Sequence, residues 1–453
     1  MLTSLGFILL GGAALAGLCR RIQLPTIIGL MLAGLLLGPQ GYNCLDSTML
    51  TISPDLRQMA LLIILVKAGL AINLRDIWNL GRPLLMMSTV PVLLELVVLT
   101  YLGLTIFNLH GLEAVLLATA VCAVSPAVVV FRMIHLIEEK YGIAKKIPQL
   151  IMVASSLEDI VVVVVFSLVL TLVEAHVEAP EGLGALEAFG QVPVALVGGI
   201  ILGLVSGFIV AYIAKYMSHS APTISKAKIL KLSRLLLHKD VQNIVNDKEK
   251  AKVKAKETRT VKEFLVTPQQ ATLLLTVIVA VSFVLVAISN WLKPLVSVSG
   301  LLAIMIMASV VKGQVSYELG QMLNRMVNQL WIPIEIILFV LVGAAIDTTY
   351  MLSMSGMLIA VIALGLVGRT MGVVISLWKT PLNRKERAYC AISYAPKATV
   401  QAAIGGIPLA LGLSSGPLVL AASAMAIVIT SPIGAICMDY FYKRWLTYDG
   451  QER

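Results

Sequence analysis

The chain has 453 residues, 58% of them hydrophobic and only 13% charged, with a formal net charge of +10 and a mean hydropathy of +0.92. That balance excludes an ordinary soluble domain and describes a polytopic membrane protein. The apolar runs are long and do not alternate, so they are read as helices, which satisfy their own backbone hydrogen bonds in lipid, and not as barrel strands.

About thirteen runs long enough to cross a ~30 Å hydrocarbon core follow one another. They lie at about 3–19, 25–41, 58–74, 84–107, 113–134, 149–173, 190–214, 270–290, 295–312, 329–347, 355–378, 388–411 and 417–440. The first has no basic segment before it, and Leu18 precedes Cys19 where a cleavage site wants a small residue, so it is read as a retained helix. Taken alternately, the loops fall into two sets. One carries Arg20 and Arg21; Arg75 and Arg82; Arg132, Lys140, Lys145 and Lys146; the basic segment from Lys215 to Lys262; Lys312 and Arg325; Lys379, Arg384, Lys385 and Arg387; and Lys443, Arg444 and Arg453. The other holds only Arg57 and Lys293, with an acidic loop of Glu174, Glu178, Glu181 and Glu187. By the positive-inside rule the first set is cytoplasmic, which puts the N-terminus outside and the C-terminus inside.

The expected organisation is a first unit at 1–214 (six helices and a linking seventh), a basic cytoplasmic insert at 215–268, a second unit at 269–440 and a cytoplasmic tail at 441–453. Within the insert, Leu230, Leu232, Leu235 and Leu236 recur at helical spacing among Lys226, Lys228, Lys231 and Arg234, a pattern that lies on an inner leaflet. Residues 215–262 are accordingly expected to be drawn to anionic lipid headgroups. No aromatic platform or fold motif accompanies the charge, so nucleic acid is not an expected partner.

The two units resemble one another. Leu65 to Asn73 in the third run lines up with Phe339 to Asp347 in the tenth, and Ser125-Pro126-Ala127 with Ala395-Pro396-Lys397, at nearly the same offset. An offset of seven helices is odd, so the second copy crosses the membrane the other way: an inverted repeat, an architecture of many secondary transporters. Pro126 and Pro396 each remove a backbone donor at mid-depth, and two such prolines at matching positions predict that helices five and twelve are discontinuous and cross at an ion site.

Ionisable residues near helix centres are Glu95, Glu158, Asp159, Arg369 and Lys397, with Ser125 at the predicted break. Buried charges survive in lipid by pairing or by facing a wet cavity, and by default mark an ion or proton path. Glu95 and Arg369 sit at symmetry-related positions and are expected to pair. Asp159 is the expected exchange site, because one carboxylate can hold a monovalent cation or a proton but not readily both, which is antiport. Ser155, one turn earlier on the same face, and freed oxygens near Val124 and Ser125 are the other candidate ligands. Glu158 is the second expected exchange carboxylate; it points about 100° away from Asp159, so the two cannot do the same job, and its competing reading is to neutralise Lys397, which can equally offset the negative end of a half-helix. Lys67 is read as snorkelling to the cytoplasmic side, with no transport role. The five scattered cysteines show no disulfide or metal-ligand spacing, and no cofactor is expected. An intramembrane aspartyl protease is disfavoured, since a Gly-x-Gly-Asp motif is absent.

These residues resemble a family: the monovalent cation:proton antiporter superfamily of NhaA/NapA and sodium/hydrogen exchanger type, closest to its NHA branch. Leu24-Pro25-Thr26-Ile27-Ile28-Gly29, with Ala33-Gly34 and Gly38-Pro39, looks like the family's second-helix signature. Ser125 to Val130 and Ala395 to Gly405 look like the two crossed helices of the NHA branch. The resemblance implies Na+ or Li+ exchange for H+ by a homodimer in the plasma (inner) membrane, with a mobile core passing a fixed dimerisation domain. It implies Asp159 as the cation ligand and a Glu95–Arg369 pair. The first acidic position is Asp or Asn in the family; Glu158 departs from both. K+/H+ exchange, and an ion sensor with the same fold and no flux, remain alternative readings.

Overall fold

The computed structural model describes residues 1–22, 24–71, 74–178, 185–219, 268–292 and 298–449. Most of the basic insert, residues 220–267, lies outside them, as does Lys293. The described residues form helices in the order α1 (Leu2–Arg21), α2 (Thr26–Leu37), α3 (Ser47–Thr51), α4 (Ser53–Ala71), α5 (Leu74–Ile106), α6 (Gly111–Cys122), α7 (Pro126–Glu138), α8 (Ile147–Glu178) and α9 (Ala185–His219). Then follow α10 (Pro268–Leu292), α11 (Gly300–Gln314), α12 (Tyr317–Ala344), α13 (Thr348–Ser353), α14 (Ser355–Ser376), α15 (Arg384–Ser393), α16 (Thr399–Ile404), α17 (Ile407–Ala410) and α18 (Gly416–Trp445). Among the described residues there is no strand, only one bridge between Tyr141 and Tyr448. Nine helical stretches there are long and apolar enough to cross a membrane, and Thr26–Leu37, Gly300–Gln314 and Thr399–Ala410 are shorter apolar helices.

Helix ends follow local chemistry. The Ser299 side chain accepts from the Leu302 amide at the start of α11, and Ser316 from Leu319 at the start of α12. That second cap moves the start of α12 to Tyr317, well before the apolar run near 329, because the first turns of this helix are amphipathic and not lipid-apolar. Asn383 and Glu386 make a reciprocal capping box at α15. Arg57, assigned to a loop from hydropathy, is instead inside α4 and buried.

The helices pack in two groups. In one, α14 lies along α5, and α6, α7, α8, α15 and α18 complete the cluster; in the other, α1, α2, α4, α9, α10, α11 and α12 pack together. The second group is closed by reciprocal glycine contacts. A Cβ on Gly34 of α2 would overlap the Val340 carbonyl of α12, and one on Gly343 of α12 would overlap the Met31 carbonyl of α2. With no hydrophobic driving force between helices in lipid, such backbone-to-backbone approach is what holds a pair together. The groups meet where α8 lies against α4, α9 and α11, and where α16 meets α4 and α12.

Two membrane helices are interrupted. The stretch Gly111–Glu138 breaks at Ala123 to Ser125, whose backbone is extended, and Pro126 begins α7 at a position where its missing N–H costs nothing. The partner break runs from Tyr394 to Ala398 between α15 and α16 and contains Pro396 itself. The breaks touch: the Ser125 amide donates to the Pro396 carbonyl at 2.8 Å.

Candidate functional site

Interrupting a helix leaves carbonyls at one end and amides at the next without intrahelical partners. At the end of α6, the carboxamide of Gln401 donates to the carbonyls of Val121 and Ala123 at 3.1 and 2.6 Å. The Cys122 carbonyl between them accepts from Arg369 and, at 3.3 Å, from the Lys397 ammonium. Two cations therefore face the negative end of a half-helix, where they are favoured. The Val124 amide donates to Glu158 Oε1 at 3.1 Å. On the other strand of the crossing, the Lys397 amide donates to Thr430 Oγ1 at 2.9 Å, and the Ser431 hydroxyl donates to the Lys397 carbonyl at 2.6 Å.

The charges form one network. Arg369 of α14 is ion-paired with Glu95 of α5 and, at 2.8 Å, with Glu158 of α8. Lys397 Nζ lies 2.7 Å from Glu95 Oε1, at ion-pair distance though off the hydrogen-bonding direction of that oxygen. All four side chains are at most 1% exposed. The expected Glu95–Arg369 contact is present. The expected Glu158–Lys397 contact is not: Lys397 sits on Glu95, and Glu158 on Arg369, because α14 projects its guanidinium between the two carboxylates. Two acids and two bases neutralise one another, which is the arrangement that makes burial of charge tolerable.

Asp159 stands outside this balance. Its Oδ1 is fully buried with no hydrogen-bond partner among the described residues, and it forms no salt bridge there. Ser125 Oγ, at the break, is likewise buried and unpartnered. Ser155 is buried, and its hydroxyl donates to the Met152 carbonyl at 3.0 Å, which leaves its lone pairs available.

Two charged residues escaped the sequence reading of the site: Lys67, near Asp159, and Glu335, near Lys67. Lys67 of α4 does not snorkel away: its ammonium lies 5.4 Å from the Trp331 ring centre and within electrostatic reach of both Asp159 and Glu335. Glu335 of α12, beside Trp331, is the other. Its signal was a carboxylate inside the tenth apolar run, the same signal that singled out Glu95. Gln401 also went unassigned, although it lies within the second crossed segment.

An all-helical membrane bundle, with two interrupted helices crossing beside a neutralised charge network and one spare carboxylate, defines a polytopic carrier of the broken-helix class. The family described as sodium/hydrogen exchanger, transmembrane, matches residues 7–230 and 259–439. Similar proteins include human sodium/hydrogen exchanger 9B1, 26% identical over 94% of this chain and 73% of that protein. Mouse sodium/hydrogen exchanger 9B2 is 25% identical over 93% and 69%. Among solved structures, the sodium proton antiporter MjNhaP1 of Methanocaldococcus jannaschii superposes with a TM-score of 0.72 over 97% of each chain, at 16% identity, and so shares the fold. The chain belongs to the sodium/hydrogen exchanger transmembrane family, within the monovalent cation:proton antiporter superfamily.

Proposed function

We propose that the protein exchanges Na+ or Li+ for H+ by alternating access, with Asp159 as the site that both ions share. The observation that carries this reading is the charge count. Glu95 and Glu158 are matched by Lys397 and Arg369, while Asp159 alone of the three site carboxylates has no salt bridge among the described residues. An unmatched carboxylate in a low-dielectric site is neutralised by whichever cation reaches it, proton or metal, so occupancy by one excludes the other. Ser125 Oγ, Ser155 Oγ and oxygens of the break near Val124 supply neutral ligands of the kind a hard monovalent ion prefers.

Glu158 is the counter-ion of Arg369 and the cap of the Val124 amide, a positioning group and not a second carrier. The group containing α8 and the crossing is the moving core. The group containing α2 and α12 is the fixed scaffold and the homodimer surface, and the two halves of the chain are inverted repeats. The protein sits in the plasma membrane with its N-terminus outside, and the basic insert lies against anionic lipid.

The test is a pH-gradient assay in proteoliposomes with Na+, Li+ and K+ compared side by side. Dissipation of the gradient by Na+ or Li+ is the expected result. Dissipation by K+ alone would identify a K+/H+ exchanger, and cation binding without proton movement would identify a sensor.

A further inference from the structure

About 12 Å along α8 from Asp159, toward the end whose loops carry few Lys or Arg, a cavity of about 250 Å³ opens between the two helix groups. Arg57 of α4, Ser289 of α10 and Ser299 at the start of α11 line one side; Ser167 of α8 and Gly406, beyond α16, line the other. Arg57 is 6% exposed. Its Nε donates to the Ser53 carbonyl through a long 3.4 Å bond, and its Nη1 is buried with no hydrogen-bond partner. No carboxylate lies within salt-bridge distance of it among the described residues. Asp55 also lines the cavity, yet two residues apart on a helix is about 200° around, and Asp55 is exposed. Room for the guanidinium is made by Gly406, where a Cβ would overlap Arg57 Nη1.

A buried, permanently charged guanidinium without a counter-ion carries a large desolvation penalty, and Arg cannot escape it by losing its proton. The lining serine hydroxyls are already engaged, Ser289 with the Val298 carbonyl and Ser167 with Ser299, so the guanidinium is the group left to take a negative guest, and its planar fork matches a carboxylate or a halide. We propose that this cavity binds a small monovalent anion, halide or carboxylate, on Arg57. Its walls belong to both helix groups, so the anion bridges them and holds one arrangement in place.

The test uses the full-length purified protein in detergent, titrated with choline chloride or choline acetate at constant ionic strength maintained with a bulky buffer sulfonate. Melting temperature is expected to rise with the logarithm of anion concentration, by about 2–4 °C in all, and Arg57→Gln to lose the response. A response to chloride alone identifies a halide site, to acetate alone a carboxylate site, and to both a shared one. No response to either anion, or an equal response in Arg57→Gln, overturns the proposal. Should Arg57→Gln fail to fold, wild-type crystals soaked in bromide and, separately, in acetate decide: either anion at hydrogen-bonding distance from Arg57 supports the site, and the absence of both overturns it. This binding measurement stands independently of the exchange reading. In proteoliposomes that do exchange, the same anion is expected to slow flux.

Discussion

Arg369 Nη2 lies 2.8 Å from Glu158 Oε1, while Asp159, the next residue along the same helix, has no such partner among the described residues. Two adjacent carboxylates thus occupy unlike surroundings, one locked into a neutral network and one left over.

Asp159→Asn removes the left-over charge and keeps the shape. It is expected to abolish cation-driven proton movement in proteoliposomes while the protein still folds, as judged by gel filtration and melting temperature. Full exchange by this variant would remove Asp159 from the mechanism.

Glu158→Gln is expected to lower the melting temperature, because Arg369 loses one of its two counter-charges, and to leave exchange running. The response of flux to membrane potential should match the wild type. A lost response would give Glu158 a transported proton of its own.

For Glu95 and Arg369, each single change leaves a buried charge alone: Glu95→Gln strips Lys397 of its carboxylate and Arg369→Met strips Glu158 of its guanidinium, at a cost of about 3–5 kcal/mol each. Because the two also pair with one another, the double change is expected to cost less than the two single costs added together. Simple additivity in thermal denaturation would mean that the two do not act on one another.

Gly34→Ala puts a methyl group into the Val340 carbonyl, where backbone cannot yield as a flexible side chain does. A loss of about 1–3 kcal/mol is expected, seen as a lower melting temperature. Gly6→Ala, on an open face of α1, is the matched control and should be neutral.

Much of this was legible in the chain because lipid-buried sequence is a quiet background. Each of Glu95, Glu158, Asp159, Arg369 and Lys397 stands out in an apolar run, and Pro126 and Pro396 mark where the helices break. Partner choice was not legible. Which carboxylate meets Arg369 depends on how α5, α8 and α14 are rotated about their axes, and a rotation of one residue spacing, about 100°, exchanges one partner for another. Arg57 and the early start of α12 were missed for a related reason. A hydropathy run locates where lipid begins, whereas the helix extends to wherever a cap such as Ser316 ends it.

The join between the two broken helices includes one peptide-to-peptide stitch, Ser125 N–H to Pro396 C=O, beside the side-chain contacts of Gln401 and Lys397 with the carbonyls at the end of α6. Replacing the side chain at position 125 leaves that stitch its donor, and proline there is the substitution that would remove it. One thread of the crossing is therefore hidden from most single mutations, while the threads through Gln401 and Lys397 are open to them.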